Sequence, residues 1–303
     1  MSLFANLPKE INIVEVGPRD GLQNETIFIP TDVKLRFIDS LIEAGLKTIE
    51  MTSFVSPKAI PQTKDSMEVA KSVLEKYKNR DDLNFPCLVP NEKGWMNANS
   101  LGVKEIAIFS AASNEFNKKN IKTDIQGSFE RLAPVAKKAL AENVKVRGYL
   151  STAFGCPYEG EVPFDKVLDV IKRFDDIGVY EISLGDTIGI AIPKQVHDLL
   201  ATIDKHRGLH GLAMHFHDTR GMALANILTS LQWGMSTFDS SAAGLGGCPY
   251  AKGASGNVAT EEVSYLLESF GLSTGIDSLK LKQSSVEIFK ILGRASSTKL
   301  NKA

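Results

Sequence analysis

The segment from Gly211 to Thr219, GLAMHFHDT, sets two histidines at alternate positions next to an aspartate. Read as a short buried strand, it turns His215 and His217 to one face and Met214 and Phe216 to the other, because strand side chains alternate. Two imidazoles converging at a strand end have the spacing of a metal site, and this reading is set ahead of a pair of satisfied core histidines. A helix is expected to begin near Asp218 or Thr219. Asp20 is the natural carboxylate to complete a cation site with the two histidines. Asn257 can add an amide oxygen or serve as the N-cap of a helix starting at Val258, and both readings stand. A mixed nitrogen and oxygen set suits Mg²⁺ or Mn²⁺ in six-fold coordination, while two histidines and one carboxylate also match an Fe(II) triad.

Other chemistry-bearing residues gather at segment ends. Gly17-Pro18-Arg19-Asp20-Gly21-Leu22-Gln23-Asn24 offers a cation, a carboxylate and amides between glycines, and Glu50 and Asp186 end two further apolar runs. Each has a plain alternative: Arg19 as a scaffold ion pair, Asp20 as a loop cap, Glu50 and Asp186 as buried carboxylates that need partners anyway. The stretch Gly244 to Gly256 holds five glycines around Cys248. It lacks the GK[ST] ending of a phosphate loop, so the glycines point to close ligand approach or movement, with Cys248 exposed to the site as a candidate acid or nucleophile. Cys87 reads as core filler, Cys156 as part of the site wall, His197, His206 and His210 as ordinary, and Lys118-Lys119 as a solvated face.

What brings such distant residues together is an alternation of Val/Ile-rich runs with amphipathic helix-length segments, recurring about eight times. The expected strands cover 11–17, 48–52, 84–89, 105–109, 145–150, 180–184, 212–216 and 237–241. The expected helices cover 31–44, 66–78, 93–100, 125–141, 163–177, 193–206, 223–233 and 258–270. Gly45, Gly102, Gly178, Gly234 and Gly271 stand where helices should end. Eight such units closing on themselves give an α/β TIM barrel over about residues 11–272, whose C-terminal strand ends form one face. An open doubly wound sheet is the runner-up, without a GxGxxG after the first strand. A further helix, Ser278 to Leu292, extends the barrel within about 276–294, and 295–303 reads as a disordered polar tail. One domain covers 1–303.

Bulk composition narrows the function. With 35 Lys+Arg against 36 Asp+Glu, the net charge of −1 gives no footing for nucleic acid or a membrane surface. Apolar runs are strand-sized, and Met1 to Glu10 is too short and polar for a signal peptide. Three widely spaced cysteines suit a reducing compartment, so a cytoplasmic protein is expected.

The segments Val16 to Asn24, Thr52-Ser-Phe-Val-Ser-Pro57, Gly155-Cys-Pro-Tyr-Glu-Gly160, Glu181 to Gly189 and Ala243 to Gly256 together resemble the 3-hydroxy-3-methylglutaryl-CoA lyase family, over about Ile11 to Arg294. Ala242 replaces a usual valine, and Phe216 a smaller residue, without touching the ligands. The tail has neither a cysteine nor a peroxisomal ending, so no targeting or redox-linked dimer feature is carried over. The resemblance implies a TIM barrel in which Asp20, His215, His217 and Asn257 bind Mg²⁺ or Mn²⁺. It implies catalytic roles for Cys248, Arg19, Asp20, Glu50, Asp186, His215 and Glu261, and substrate contacts from Arg19, Gln23 and Ser183. The implied substrate is an acyl-CoA, (S)-3-hydroxy-3-methylglutaryl-CoA, split to acetyl-CoA and acetoacetate in leucine degradation and ketone-body formation. A homodimer is expected, with the extra helix as its support. The absence of room for a further C-terminal domain disfavours the related acetyl-CoA-condensing synthases.

Overall fold

The computed structural model describes residues 7–247, 256–296 and 298–300. Its strands are β1 (Asn12–Glu15), β2 (Thr48–Ile49), β3 (Thr52–Ser53), β4 (Cys87–Leu88), β5 (Glu105–Ala111), β6 (Lys145–Ser151), β7 (Glu181–Asp186), β8 (Leu212–Phe216) and β9 (Thr237–Ser240). All pair in parallel, in the order β2-β1-β9-β8-β7-β6-β5-β4-β3. β2 and β3 are two pieces of one barrel strand. β2 pairs with β1 and β3 with β4, and the residues between divide likewise: Glu50 N–H donates to Glu15 O at 2.9 Å and Met51 N–H to Pro86 O at 3.0 Å. The sheet thus closes on itself as an eight-stranded TIM barrel.

The helices are α1 (Thr31–Glu43), α2 (Ser66–Lys76), α3 (Glu92–Ser100), α4 (Asn114–Ile121), α5 (Ile125–Ala141), α6 (Phe164–Asp176), α7 (Pro193–Arg207), α8 (Ala223–Gln232), α9 (Thr260–Ser269) and α10 (Ser278–Leu292). Each buries one stripe on the barrel. On α6 this is Val167, Val170, Ile171 and Phe174, the three-and-four spacing of a helix face. Phe174 meets Phe129 of α5 edge to face at 4.9 Å. Fully burying a side chain of this kind is worth roughly 1.5–3 kcal/mol, so the ring of helix faces supplies most of the cohesion. The five glycines expected to end helices all have positive φ, from 73° to 101°, as the left-handed cap requires.

Four expectations need correction. The helix after the histidine strand starts at Ala223, because Asp218 accepts from Ala223 N–H at 3.0 Å and 218–222 form a turn. Asn257 caps no helix: α9 begins at Thr260, with Ala259 at its N-cap. Lys118 and Lys119 are exposed, as read, but the chain around them forms α4, a helix the spacing did not announce because it carries few apolar residues. The described end of the tail is docked: Thr298 is buried and Lys299 N–H donates to Glu262 Oε1 at 2.8 Å.

Candidate active site

Strand β1 runs into a tight π-helical turn, Gly17–Gly21, in which the N–H groups of Arg19, Asp20 and Gly21 all converge on Val16 O at 2.7–3.2 Å. Turns of this kind, closed by an i→i+5 bond, widen the chain locally and re-aim its side chains. Here the turn aims Arg19 and Asp20 into the barrel mouth. Arg19 is 9% exposed; its Nε donates to Glu50 Oε2 and its Nη1 to Asp20 Oδ1, both at 2.6 Å, and its guanidinium lies 5.1 Å from the centre of the Tyr149 ring. Tyr149 O–H donates to Glu50 Oε2 at 3.1 Å, so Glu50 fixes Arg19 from below.

On β8 the two imidazoles do share a face, with ring centres 5.2 Å apart. His215 Nδ1 bonds Asp239 Oδ2 at 3.2 Å. The next chain segment closes the site. Val258 N–H donates to Phe216 O at 3.0 Å and Asp218 N–H to Gly256 O at 3.1 Å, which sets Asn257 beside His217. Glycine is needed for that approach. A Cβ on Gly256 would stand 2.4 Å from Gly246 O, and one on Gly246, at φ +117°, would stand 2.8 Å from Asn257 Nδ2. Asn257 Nδ2 donates to Asp20 Oδ2 at 2.8 Å and to Leu245 O at 3.1 Å, which orients the amide and leaves its oxygen free.

Asp20, His215 and His217 each offer a ligand atom within 4.8 Å of the others. Two buried atoms here, His217 Nδ1 and Asn257 Oδ1, have no hydrogen-bond partner among the described residues. A buried acceptor without a donor costs about 1–3 kcal/mol, and a divalent cation is a partner that suits both atoms. The electrostatics agree. Burial favours a neutral Asp20, but Arg19, His215, His217 and the Asn257 amide hold it at about 2, ionised at every ordinary pH. Burial, reinforced by His215, pushes His217 down to about 4, leaving the neutral imidazole that coordinates metals.

Above these groups lies a cavity of about 450 Å³ with Arg19, Asp20, Gln23, Ser183, His215 and His217 at its base. Leu88, Phe109, Phe116 and Ile121 wall its apolar side. Gln23 and Ser183 both line it: Ser183 Oγ donates to Asp239 Oδ2 at 2.6 Å, and Gln23 Oε1 is buried with no hydrogen-bond partner among the described residues. Asn24 Nδ2 donates to Gly247 O at 2.9 Å at the rim. Cys248 lies outside the described residues.

Glu50, Asp186 and Glu261 do not line the cavity, but each touches something that does or shapes a loop. Asp186 accepts from Ile190 and Ala191 N–H, both at 3.0 Å, and burial raises it to about 6 against those bonds. Glu261 accepts from Ala243 N–H at 2.9 Å and from Ser285 Oγ, tying the glycine loop's first turn to α9 and α10; burial raises it too. Cys156 does not line the cavity either. Its thiol sits under the loop at 152–160, within 3.0 Å of Ser113 Oγ and 3.4 Å of the N–H groups of Tyr158 and Glu159.

Sequence reasoning missed the second layer. Asp239 accepts from Arg147 Nη2 at 2.8 Å and from Ser183, besides bonding His215. Burial opposes its charge, yet Arg147 and His215 hold it below the usual carboxylate range. Glu15 accepts from Gly17 and Ala242 N–H at 2.8 and 2.9 Å and from Thr260 Oγ1 at 2.6 Å, which joins the first and last strand ends. The available signal was a charged residue within an apolar strand: Glu15 and Asp239 each stand alone in one, and Arg147 is the one buried charge of its strand.

A closed parallel barrel with two histidines, a carboxylate and a buried arginine at its C-terminal rim defines an α/β-barrel protein with a candidate divalent-cation centre. The family profile described as HMGL-like matches residues 10–288. The mitochondrial hydroxymethylglutaryl-CoA lyase of Homo sapiens is 51% identical over 302 residues, covering 100% of this chain and 92% of its own. The cytoplasmic 3-hydroxy-3-methylglutaryl-CoA lyase of Rattus norvegicus is 47% identical, with 100% and 87% covered. Among solved structures, hydroxymethylglutaryl-CoA lyase from Pseudomonas aeruginosa superposes with a TM-score of 0.93 at 46% identity, covering 98% of each chain. An HMG-CoA lyase from Acinetobacter baumannii in complex with coenzyme A and 3-methylmalate has a TM-score of 0.91 at 35% identity, covering 97% of this chain and 95% of that one. The chain belongs to the HMGL-like family, whose lyases depend on a divalent metal, and it is itself a lyase.

Proposed function

We propose that the chain is a hydroxymethylglutaryl-CoA lyase, splitting (S)-3-hydroxy-3-methylglutaryl-CoA into acetyl-CoA and acetoacetate with Mg²⁺ or Mn²⁺ held by Asp20, His215, His217 and Asn257. The observation that carries this is the pair of orphaned ligand atoms on His217 and Asn257 beside ionised Asp20, at the floor of a cavity that also holds Arg19. Breaking the C2–C3 bond needs loss of the C3 hydroxyl proton and a place for charge on the departing thioester enolate. A bound divalent cation would act there as a Lewis acid toward the hydroxyl. Asp20, His215 or a water between them accepts the proton. Arg19, held by Glu50 and Tyr149, stabilises the enolate oxygen as charge gathers on it. Cys248 then returns a proton to the enolate carbon, and the C3 oxygen becomes the ketone of acetoacetate. Glu50, Asp186 and Glu261 act by positioning, through Arg19 and the two loops. Gln23 and Ser183 contact substrate.

The same reading makes the enzyme a homodimer placed in the cytoplasm, serving leucine degradation. The dimer is supported by Leu279 and Val286, seven residues apart on one face of α10 and 78% and 52% exposed. The location is supported by the reduced cysteines Cys87 and Cys156, and relatives bear both cytoplasmic and mitochondrial names. No helix among the described residues is long and apolar enough to cross a membrane.

The test is acetoacetate formation from 3-hydroxy-3-methylglutaryl-CoA, with Mg²⁺ or Mn²⁺ and again with EDTA. Product that requires the ion supports the assignment. No product with either ion turns the assignment toward a longer acyl-CoA or a condensation.

A further inference from the structure

Asp239 stands directly across from His215, its register partner on the neighbouring strand, and is 1% exposed. Arg147 holds both of its oxygens, Oδ1 closely and Oδ2 through a longer bond from Nη1 at 3.4 Å. Oδ1 accepts from Arg147 Nη2 at 2.8 Å; Oδ2 accepts from Ser183 Oγ at 2.6 Å and lies 3.2 Å from His215 Nδ1. Arg147, itself 1% exposed, is anchored on its far side by Glu181 Oε1 at 2.7 Å, so the carboxylate cannot turn away. A carboxylate only accepts. The proton on His215 therefore sits on Nδ1, and the lone pair of Nε2 is left for the face shared with Asp20 and His217.

Resting on the cation reading above, we propose that Asp239 is a positioning residue for the cation centre: it fixes the tautomer of His215, and Arg147 holds Asp239 in place to do so. The two histidines are then unlike. His215 is set by protein contacts before any ion arrives, whereas the buried Nδ1 of His217 has no partner among the described residues.

Asp239→Asn tests this with little change of volume. Arg147 donates to the Oδ1 position, so the asparagine oxygen settles there and its NH₂ faces Ser183 and His215. Ser183 can rotate to accept. His215 must then accept on Nδ1 and carry its proton on Nε2, toward the cation position. Removal of such an outer carboxylate typically costs roughly 10- to 100-fold in metal affinity. Titration of the cation-free full chain with Mn²⁺, by calorimetry, should show a loss of that size in Asp239→Asn. Glu181→Gln, whose amide oxygen can still accept from Arg147 Nε and so keeps the Asp239 to His215 bond, should stay within about two-fold of the unaltered chain. Imidazole ¹⁵N spectra of the cation-free protein should show His215 protonated on Nδ1, and on Nε2 in Asp239→Asn. Equal Mn²⁺ affinity in Asp239→Asn, an equal loss in Glu181→Gln, or Nε2-protonated His215 in the unaltered chain overturns the proposal. If Asp239→Asn does not fold, the spectrum of the unaltered chain decides alone. An unaltered chain that binds no Mn²⁺ overturns the cation reading, and this inference with it.

Discussion

Two sets of buried carboxylates ring the same barrel mouth and behave oppositely. Asp20, Glu50 and Asp239 face the lumen and are bonded by side chains: Arg19, Tyr149, Asn257, Arg147, Ser183 and His215. Glu15, Asp186 and Glu261 sit behind the rim and accept from backbone N–H groups of the loops. Around the lumen the cations overcome burial at Asp20 and Asp239, while Glu50, the most enclosed, is still raised. Behind the rim burial wins at all three. One set holds charge ready for a substrate; the other spends its acceptors on loop shape. The residue type and its place at a strand end are common to both, so the partner decides the task.

Substitutions should separate the sets. Arg19→Gln removes the cation at the cavity floor that is proposed to stabilise the enolate oxygen, and turnover should fall on the order of 10²-fold or more. A much smaller loss, measured as kcat with saturating Mn²⁺, would make Arg19 a scaffold ion pair. Glu50→Gln keeps Arg19 but loosens its grip, and kcat should drop about ten-fold or more with little change in KM, the mark of misplacement rather than lost binding. Behind the rim, Asp186→Asn leaves one of two backbone N–H groups unmet. That should cost about 1–3 kcal/mol in denaturant unfolding, with a weaker effect on kcat than Glu50→Gln. Glu15→Gln tests protonation. Burial raises Glu15 from 4.5 to about 7, so the fold keeps a proton that the unfolded chain loses. The stability this contributes is fully present below about 4.5 and lost as pH rises through about 7. The glutamine, which donates to Thr260 and accepts from the two N–H groups, should flatten that decline by on the order of 1–3 kcal/mol between pH 5 and 7.5, read from unfolding midpoints. An exposed pair sets the floor. Lys172→Ala, which unpairs Asp176 on the surface of α6, should change stability by less than about 0.5 kcal/mol.

Much of this was legible in the chain. Two of the strongest elements, Leu212–Phe216 and Ile125–Ala141, match their expected bounds to the residue, because strand alternation and helix stripes are local patterns. The ligand set could be proposed because barrel topology sends all strand ends to one face. Other features were not legible. α4 holds few apolar residues and depends on Ser113, which caps it through Phe116 N–H at 3.0 Å. Asn257 looked equally like a cap; α9 starting at Thr260 removes that reading, and the bridge sets Asn257 beside His217. The roles of Asp239 and Glu15 depend on partners 24 to 245 residues away, which no window of sequence contains.

The split second barrel strand has a consequence for how the enzyme fails. At Glu50 and Met51 the chain hands its hydrogen bonds from one neighbour to the other, and only two residue pairs join β3 to β4. Other seams of the barrel have as few register pairs, but the residue standing in this one is the one whose side chain grips Arg19. A breath of the barrel at that seam would release the arginine while the remaining strands stay paired. Heat should therefore silence the enzyme before it melts it, with amides 48–54 exchanging ahead of β6 and β7.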